Sequence, residues 1–516
     1  MMKATTVLAS LILTITLLCC NTEEVIANTA EQALGIIEIY SGTSNTLQEA
    51  IINLNNSGTI IIKGKIIIDE SIIIPMDITL DVHEGGMFEL KGVSTFEISG
   101  KIIAGLYPIF NSKVQFLDGS VTTIKSEWFG FEDLSVNYAL LSAGTIPVEL
   151  TNDITVNSAI LINSDQTLLI KNATIFPTSP MIGGAVIKNR NAKDSNITVV
   201  GGLIDGAGVS DIAFDAILFT GVDNALIQDV VARDVHTTAS KDSGNFHLVN
   251  CTNSKILNVE AHDTWKMGIK VDGGSFNTIS GGYFTGTHDS GIGAINSPNI
   301  HVIGVYVDNC GTSDASNIAI NLQNGIFENS ISINARGKNN GNGLTVGHEG
   351  YPAFNSVIRN NLFINNATKG VWLQGSTNSD ISILNNIIVN NGNGSKHPNS
   401  AGVTVYFGAL RTLIQGNEIL GNMRGVNLSN TSGTTTILDN RIINNDLNGI
   451  ENDGLNTSIK SNHLSNTTNI FNDDNYTNLT ETNNNKQGLI PIDYSRLKTL
   501  PWLTDKQKTV IYKLVN

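Results

Sequence analysis

Most of the histidines of this 516-residue chain, with several of its lysines and aspartates, fall between positions 236 and 349. Lys270, Asp272, His288, Asp289, Arg336 and His348 form the candidate catalytic set. Side chains of these types take or give protons and hold developing negative charge. His247, Trp265, Lys266, Asn296, Asn321, Trp372 and Tyr406 form the candidate binding set. Their rings offer flat apolar faces, and their amides and cations offer hydrogen bonds. Glu349, with Asp272 and Asp289, supplies oxygen donors of the kind Ca²⁺ takes. His236, Lys241, Asp242, His262, Asp263 and Lys338 share the same stretch. A solvated strand face does not require His and Lys at such places, and later in the chain Asn, Ser and Thr stand at many of the equivalent ones.

A repeat must position these residues. A short apolar motif recurs as Asn245-Phe246-His247-Leu248, Gly268-Ile269-Lys270-Val271 and Gly291-Ile292-Gly293-Ala294, and continues to Gly449-Ile450-Glu451. Its first apolar residues, Phe246, Ile269 and Ile292, stand 23 apart, and later gaps run from 23 to 32. Units this short cannot bury their own apolar face and must stack. Alternation within the motif is a strand signal with period two. Further strand-like runs lie between copies, such as Ser275–Ile279 and Asn299–Ile303. Three short strands per unit make one coil of a parallel β-helix, so the fold class is all-β. The apolar positions are mostly Ile and Val, which excludes leucine-rich repeats, and helical spacing is missing, which excludes ankyrin and tetratricopeptide arrays. Asn pairs such as Asn360-Asn361 and Asn385-Asn386 suit the corners, where Asn tolerates left-handed backbone and stacked amides can bond each other.

The net charge of −15, with 15% charged residues, argues against a nucleic-acid surface and against anionic membranes. The chain divides by sequence into a leader at 1–20, an amino-terminal β-rich cap section at 30–130, the β-helix at 131–470 and a tail with a short helix at 471–516. The leader has Lys3 and an apolar stretch from Val7 to Leu18, the pattern of an export signal. Its end, Leu17-Leu18-Cys19-Cys20, resembles a bacterial lipobox in which Cys20 is the acylated residue. An extracellular or outer-membrane surface location follows, with the membrane reached only through that lipid. Cys251 and Cys310 fall at different points of the coil and are not expected to pair. Thr46-Leu47-Gln48-Glu49 reads as a capping box opening a cap helix that runs to Leu54. A last helix over Thr504–Val515 would place Val510, Ile511 and Leu514 on one face.

Leu106-Tyr107-Pro108-Ile109-Phe110, Glu127-Trp128-Phe129-Gly130 and the helical stretch after them resemble the amino-terminal section of the pectate-lyase-like right-handed β-helix superfamily. Gly201-Gly202-Leu203-Ile204-Asp205-Gly206 is similar to a coil of polygalacturonase-like helices. The resemblance implies a polysaccharide partner and an enzyme of the lyase or glycoside hydrolase kind, or a tailspike-like protein. The catalytic signatures of polygalacturonases and of alginate-lyase-like helices do not occur as motifs, so the residues must choose the chemistry.

Hydrolysis needs two carboxyl groups about 5–9.5 Å apart. Asp272 with Asp289, or Asp263 with Asp289, fits that need if they stack about one coil apart. β-Elimination from a uronate needs a cation for the carboxylate, a base and an acid. Lys270, Arg336, Lys338, His288 and His348 supply those types, which favours a lyase over a carrageenase-like or polygalacturonase-like hydrolase. A non-catalytic glycan-binding or adhesion protein is the competing class.

Overall fold

The structure, a computed structural model, describes residues 35–117, 119–207, 215–235, 244–347, 351–375, 377–393, 397–406, 408–429, 433–472 and 479–515. The leader and Cys20 therefore lie outside the described residues. The described residues fall into two compact units, one up to Gly105 and one from Leu106.

In the first unit, short Ile-rich strands stack in parallel. Ile36–Ile39 pairs with Gly58–Ile62, which pairs with Ile78–Val82 and then Lys101–Ala104. Ile37, Ile60 and Leu80 are fully buried, and each contributes about 1.5–3 kcal/mol of burial. The cap helix spans Ser44–Asn53 and begins earlier than the sequence suggests. Thr46 Oγ1 accepts the Thr43 N–H at 3.3 Å, so Thr43 opens the helix and Glu49 lies within it. Leu47, Ala50 and Ile51 make its buried face.

In the second unit, the Ser126–Phe129 turn and the helix Asp133–Ala143 precede the coils. Glu127 is buried, and its Oε1 accepts the Thr151 and Asn152 N–H groups at 2.7 and 2.9 Å. The Trp128 carbonyl accepts the Ile109 and Phe110 N–H groups, so the motifs carrying the superfamily resemblance form one packed corner.

Beyond this corner the chain is the right-handed parallel β-helix that the repeat implies. One parallel sheet has 15 strands, and the other two strands of each coil merge into a 25-stranded sheet. The leading strands stack in the register of the sequence motif. Phe246 pairs with Ile269, Ile269 with Ile292, Ile292 with Ile318, Ile318 with Leu344, and Leu344 with Val371. The strands continue to Asn485–Gln487, past the point where the sequence period fades.

Corners carry the expected asparagines. Asn360, Asn365, Asn385 and Asn390 sit at φ between 55 and 58, and the next residue of each pair is buried. Asn361, Asn386, Asn417 and Asn440 form a ladder in which each Nδ2 donates to the next Oδ1 at 3.0 Å. Cys251 and Cys310 are buried free thiols.

The last helices pack along the side of the coils. Ile331, Ile333, Leu362, Ile364, Ile387 and Val389 form an apolar stripe on the outside of successive coils, and Leu497, Leu503, Ile511 and Val515 cover it. The last helix spans Asp505–Val515, with Ile511 and Val515 buried and Val510 exposed.

Candidate functional site

Three adjacent leading strands, Asp215–Thr220, Gly244–Val249 and Met267–Asp272, bring together a charged cluster. Parallel register sets His247 beside Lys270 and Val249 beside Asp272, one coil or about 4.8 Å apart. His247 donates through Nδ1 to Asp215 Oδ2 and through Nε2 to Asp272 Oδ2, both at 3.3 Å. Lys270 Nζ lies 2.8 Å from the same Asp272 oxygen. Asp215 Oδ1 accepts the Gly244 N–H at 2.8 Å. Two carboxylates and two cations thus compensate one another. His247 and Lys270 side chains are 7% and 1% exposed, and Asp272 is 31% exposed, so the cluster meets solvent at Asp272.

Burial alone would lower the His247 pKa, but its hydrogen bonds to Asp215 and Asp272 overcome that and raise it to about 9. The ring is an imidazolium at neutral pH and donates from both nitrogens. Burial pushes Asp272 upward, and the His247 and Lys270 hydrogen bonds hold it below the ordinary carboxylate value nonetheless. The two shifts agree: each charge keeps the other ionised.

Alternation in its motif sets Lys270 on the outward face, yet the side chain is not open to solvent. It is buried on the outer layer. Opposite it, Gly293 carries no side chain, and a Cβ there would meet the Met267 sulfur, so the Met267 thioether occupies the space. Asn321, expected to bind substrate, is fully buried and donates its N–H to the Ala294 carbonyl at 2.8 Å. Asn296 is a corner residue at φ 49, as Asp263 is at φ 48.

His288 and Asp289 do not join Lys270 and Asp272. Backbone pairing sets His288 over Thr264 and Asp289 over Lys266, at the upstream end of the leading strand. Asp272 closes the downstream end, six residues from Lys266, roughly 15–20 Å along extended backbone. Asp272 with Asp289 is therefore too far apart for a glycosidase pair. At the upstream end Trp265 stacks on His288 at 4.1 Å, with an interplanar angle of 14°. His288 Nδ1 lies 2.9 Å from Thr312 Oγ1, and Asp289 Oδ1 accepts the Ser290 N–H at 2.7 Å. Arg336, whose N–H reaches the Cys310 carbonyl, is exposed on a later coil of this end. Trp372 and Tyr406 meet edge to face on the outside of the leading strands, with centroids 6.4 Å apart. His348 and Glu349, and with them His236, Lys241 and Asp242, lie outside the described residues. Among the described residues, no group of three or more His, Cys, Asp or Glu is placed to hold a metal ion.

Three residues escaped the sequence reading. Asp215 sits two positions before Ile217, the apolar residue that pairs with Phe246, a signal the spacing did contain. Asp308 is held above the ordinary carboxylate value by burial, against the Asn334 hydrogen bond and the Arg336 charge. Lys369 is fully buried, and among the described residues its Nζ has no hydrogen-bond partner; it lies 4.4 Å from the Trp372 ring centroid. Burial lowers its pKa to about 8.

No protein-family model matches the chain, and no curated protein matches it. Among solved structures it is similar to the Dettilon tailspike protein, with 15% identity, a TM-score of 0.47, and coverage of 69% of this chain and 70% of that one. It is similar to the Streptococcus pneumoniae surface protein and adhesin PfbA, with 13% identity, a TM-score of 0.44, and coverage of 72% and 99%. The periplasmic alginate epimerase AlgG matches with 13% identity, a TM-score of 0.37, and coverage of 89% and 88%. At these values none of the three carries an argument about what this chain does.

Proposed function

We propose that the protein is an exported β-helix that cleaves an anionic extracellular polysaccharide by β-elimination, with Asp272 as the proton acceptor. The observation that supports this reading is the opening of the Asp215–His247–Asp272–Lys270 cluster to solvent at one carboxylate. A glycosidase needs two accessible carboxyls, and Asp215, 6% exposed and tied to the Gly244 N–H, does not serve as the second. Elimination needs a single carboxyl, as the base, besides a cation for the uronate carboxylate and an acid. Asp272 takes the proton beside the uronate carboxylate, the carbon–oxygen bond to the leaving sugar breaks as the double bond forms, and water protonates the leaving oxygen. The His247 and Lys270 cations beneath keep Asp272 ionised before that step. Trp265 with His288, and Trp372 with Tyr406, offer ring faces along the same side of the coils. The apolar leader and Cys20 support export and a lipid anchor.

The cancelling charges of the cluster favour a second reading, a glycan-binding protein without catalysis, in which the four residues only fix the coils. Incubation with polygalacturonate, alginate and sulfated galactans separates the readings. A new ultraviolet absorbance, lost by about 10²–10⁴-fold in Asp272→Asn, is the expected result. Reducing ends without absorbance mean hydrolysis. Binding without either product, unchanged in Asp272→Asn, contradicts the enzymatic reading.

A further inference from the structure

The carboxy-terminal strap leaves a cleft of about 400 Å³ against one corner of the coils, lined by Asn329, Asn360, Asn385, Arg496, Pro501 and Trp502. The three asparagines occupy the same corner of successive coils, with backbone pairing from Asn329 to Arg359 and from Asn360 to Leu384. Each has left-handed backbone, at φ 52, 58 and 56. Some asparagines at other left-handed corners use their amides within the protein: Asn334 donates to Asp308 at 2.9 Å, Asn355 to Asn324 at 2.9 Å, and Asn444 to the Ile490 carbonyl at 2.6 Å. Asn329, Asn360 and Asn385 have no such partner among the described residues. Three asparagines thus line, together with Trp502, a cleft large enough for one sugar ring.

We infer that this cleft is a carbohydrate-binding site separate from the Asp272 face, and that it takes a neutral, hydroxyl-rich sugar unit. Amides both donate to and accept from hydroxyl groups, and an indole face packs against the apolar face of a pyranose. The site carries no surplus positive charge, because Arg496 Nη1 lies 3.3 Å from Glu418 Oε1. That pairing distinguishes it from a site for a uronate or sulfate. Trp502 packs partly into the apolar cluster under the strap, which fixes the ring before a ligand arrives. The site stands whether or not the protein is a lyase.

The test is electrophoresis of the full-length protein in native gels containing dextran, starch, galactomannan or xylan, with alginate as the anionic control. At least one neutral polymer should retard the wild type. The variant Asn329→Gly/Asn360→Gly/Asn385→Gly removes the amides yet keeps the left-handed corners that glycine adopts freely. Its apparent Kd should rise tenfold or more, while polyuronate cleavage stays at the wild-type rate. If the triple variant melts early, Asn385→Gly at its exposed corner carries the test, with a threefold loss expected. Failure of all four neutral polymers to retard the wild type overturns the site. So does wild-type affinity in a folded variant, and so does retardation by alginate alone.

Discussion

The coils near Asn361–Asn466 and the coils near Asp215–Asp272 bury polar groups in opposite ways. In the later coils one neutral group repeats. Asn386 Oδ1 accepts from the Asn361 N–H and Nδ2 at 2.9 and 3.0 Å, and its own Nδ2 reaches Ile358 and Asn417. Each amide bonds the next Asn one coil on and a backbone carbonyl one coil back, so the pattern extends without changing. In the earlier coils nothing repeats: a carboxylate, an imidazolium, a carboxylate and an ammonium occur once, each dependent on the others. Stacking alone is served by the amide ladder. A buried set of mutually dependent charges is a poor way to stabilise coils, and the proposed chemistry is placed at its open end for that reason.

Breaking the ladder should have the largest effect on stability. Asn386→Leu takes the acceptor from the Asn361 N–H and from one of its two Nδ2 hydrogens, and a donor from the Ile358 carbonyl, in a fully buried site, at a cost of about 4 kcal/mol. Chemical unfolding should show that loss, and equal stability would remove the ladder from the account.

The pH dependence tests the charged coils. The His247 pKa is about 9 in the folded protein against 6.5 ordinarily. Its stabilising contribution, about 3 kcal/mol, is complete below pH 6.5 and is lost as the pH rises to 9. Lys369 works the other way: its folded pKa of about 8 against 10.5 makes its contribution grow from pH 8 to 10.5. In His247→Gln the decline between pH 6.5 and 9 should vanish in urea titrations.

The two buried lysines sharpen the contrast further. Lys270→Met strips a cation from Asp272 and should cost about 2 kcal/mol, a value reduced by the partial exposure of that carboxylate. Lys369→Met removes an ammonium with no hydrogen bond among the described residues and should be neutral or stabilising by about 1 kcal/mol at pH 7. Thermal melts of both decide it; the same sign in both variants would contradict the distinction.

The register of the leading strands was legible in the sequence because Ile and Val recur at one position per coil, and the corners were legible because Asn tolerates positive φ. The burial of Lys270 was not. Alternation along one strand says which side a residue takes, but it does not reveal what covers that side. The strap was half legible: Ile387-Ile388-Val389 is apolar on both faces, which is the mark of a strand buried on both sides. The separation of His288 from Asp272 was missed because both belong to neighbouring coils, and coil number alone does not give position along the strand.

The central claim is that His247 is a buried imidazolium held between Asp215 and Asp272. An NMR titration of the His247 ring tests it most directly. The account predicts a pKa near 9 in the wild type, falling clearly in Asp272→Asn. A ring that titrates at 6.5 or below, unmoved by Asp272→Asn, would contradict it.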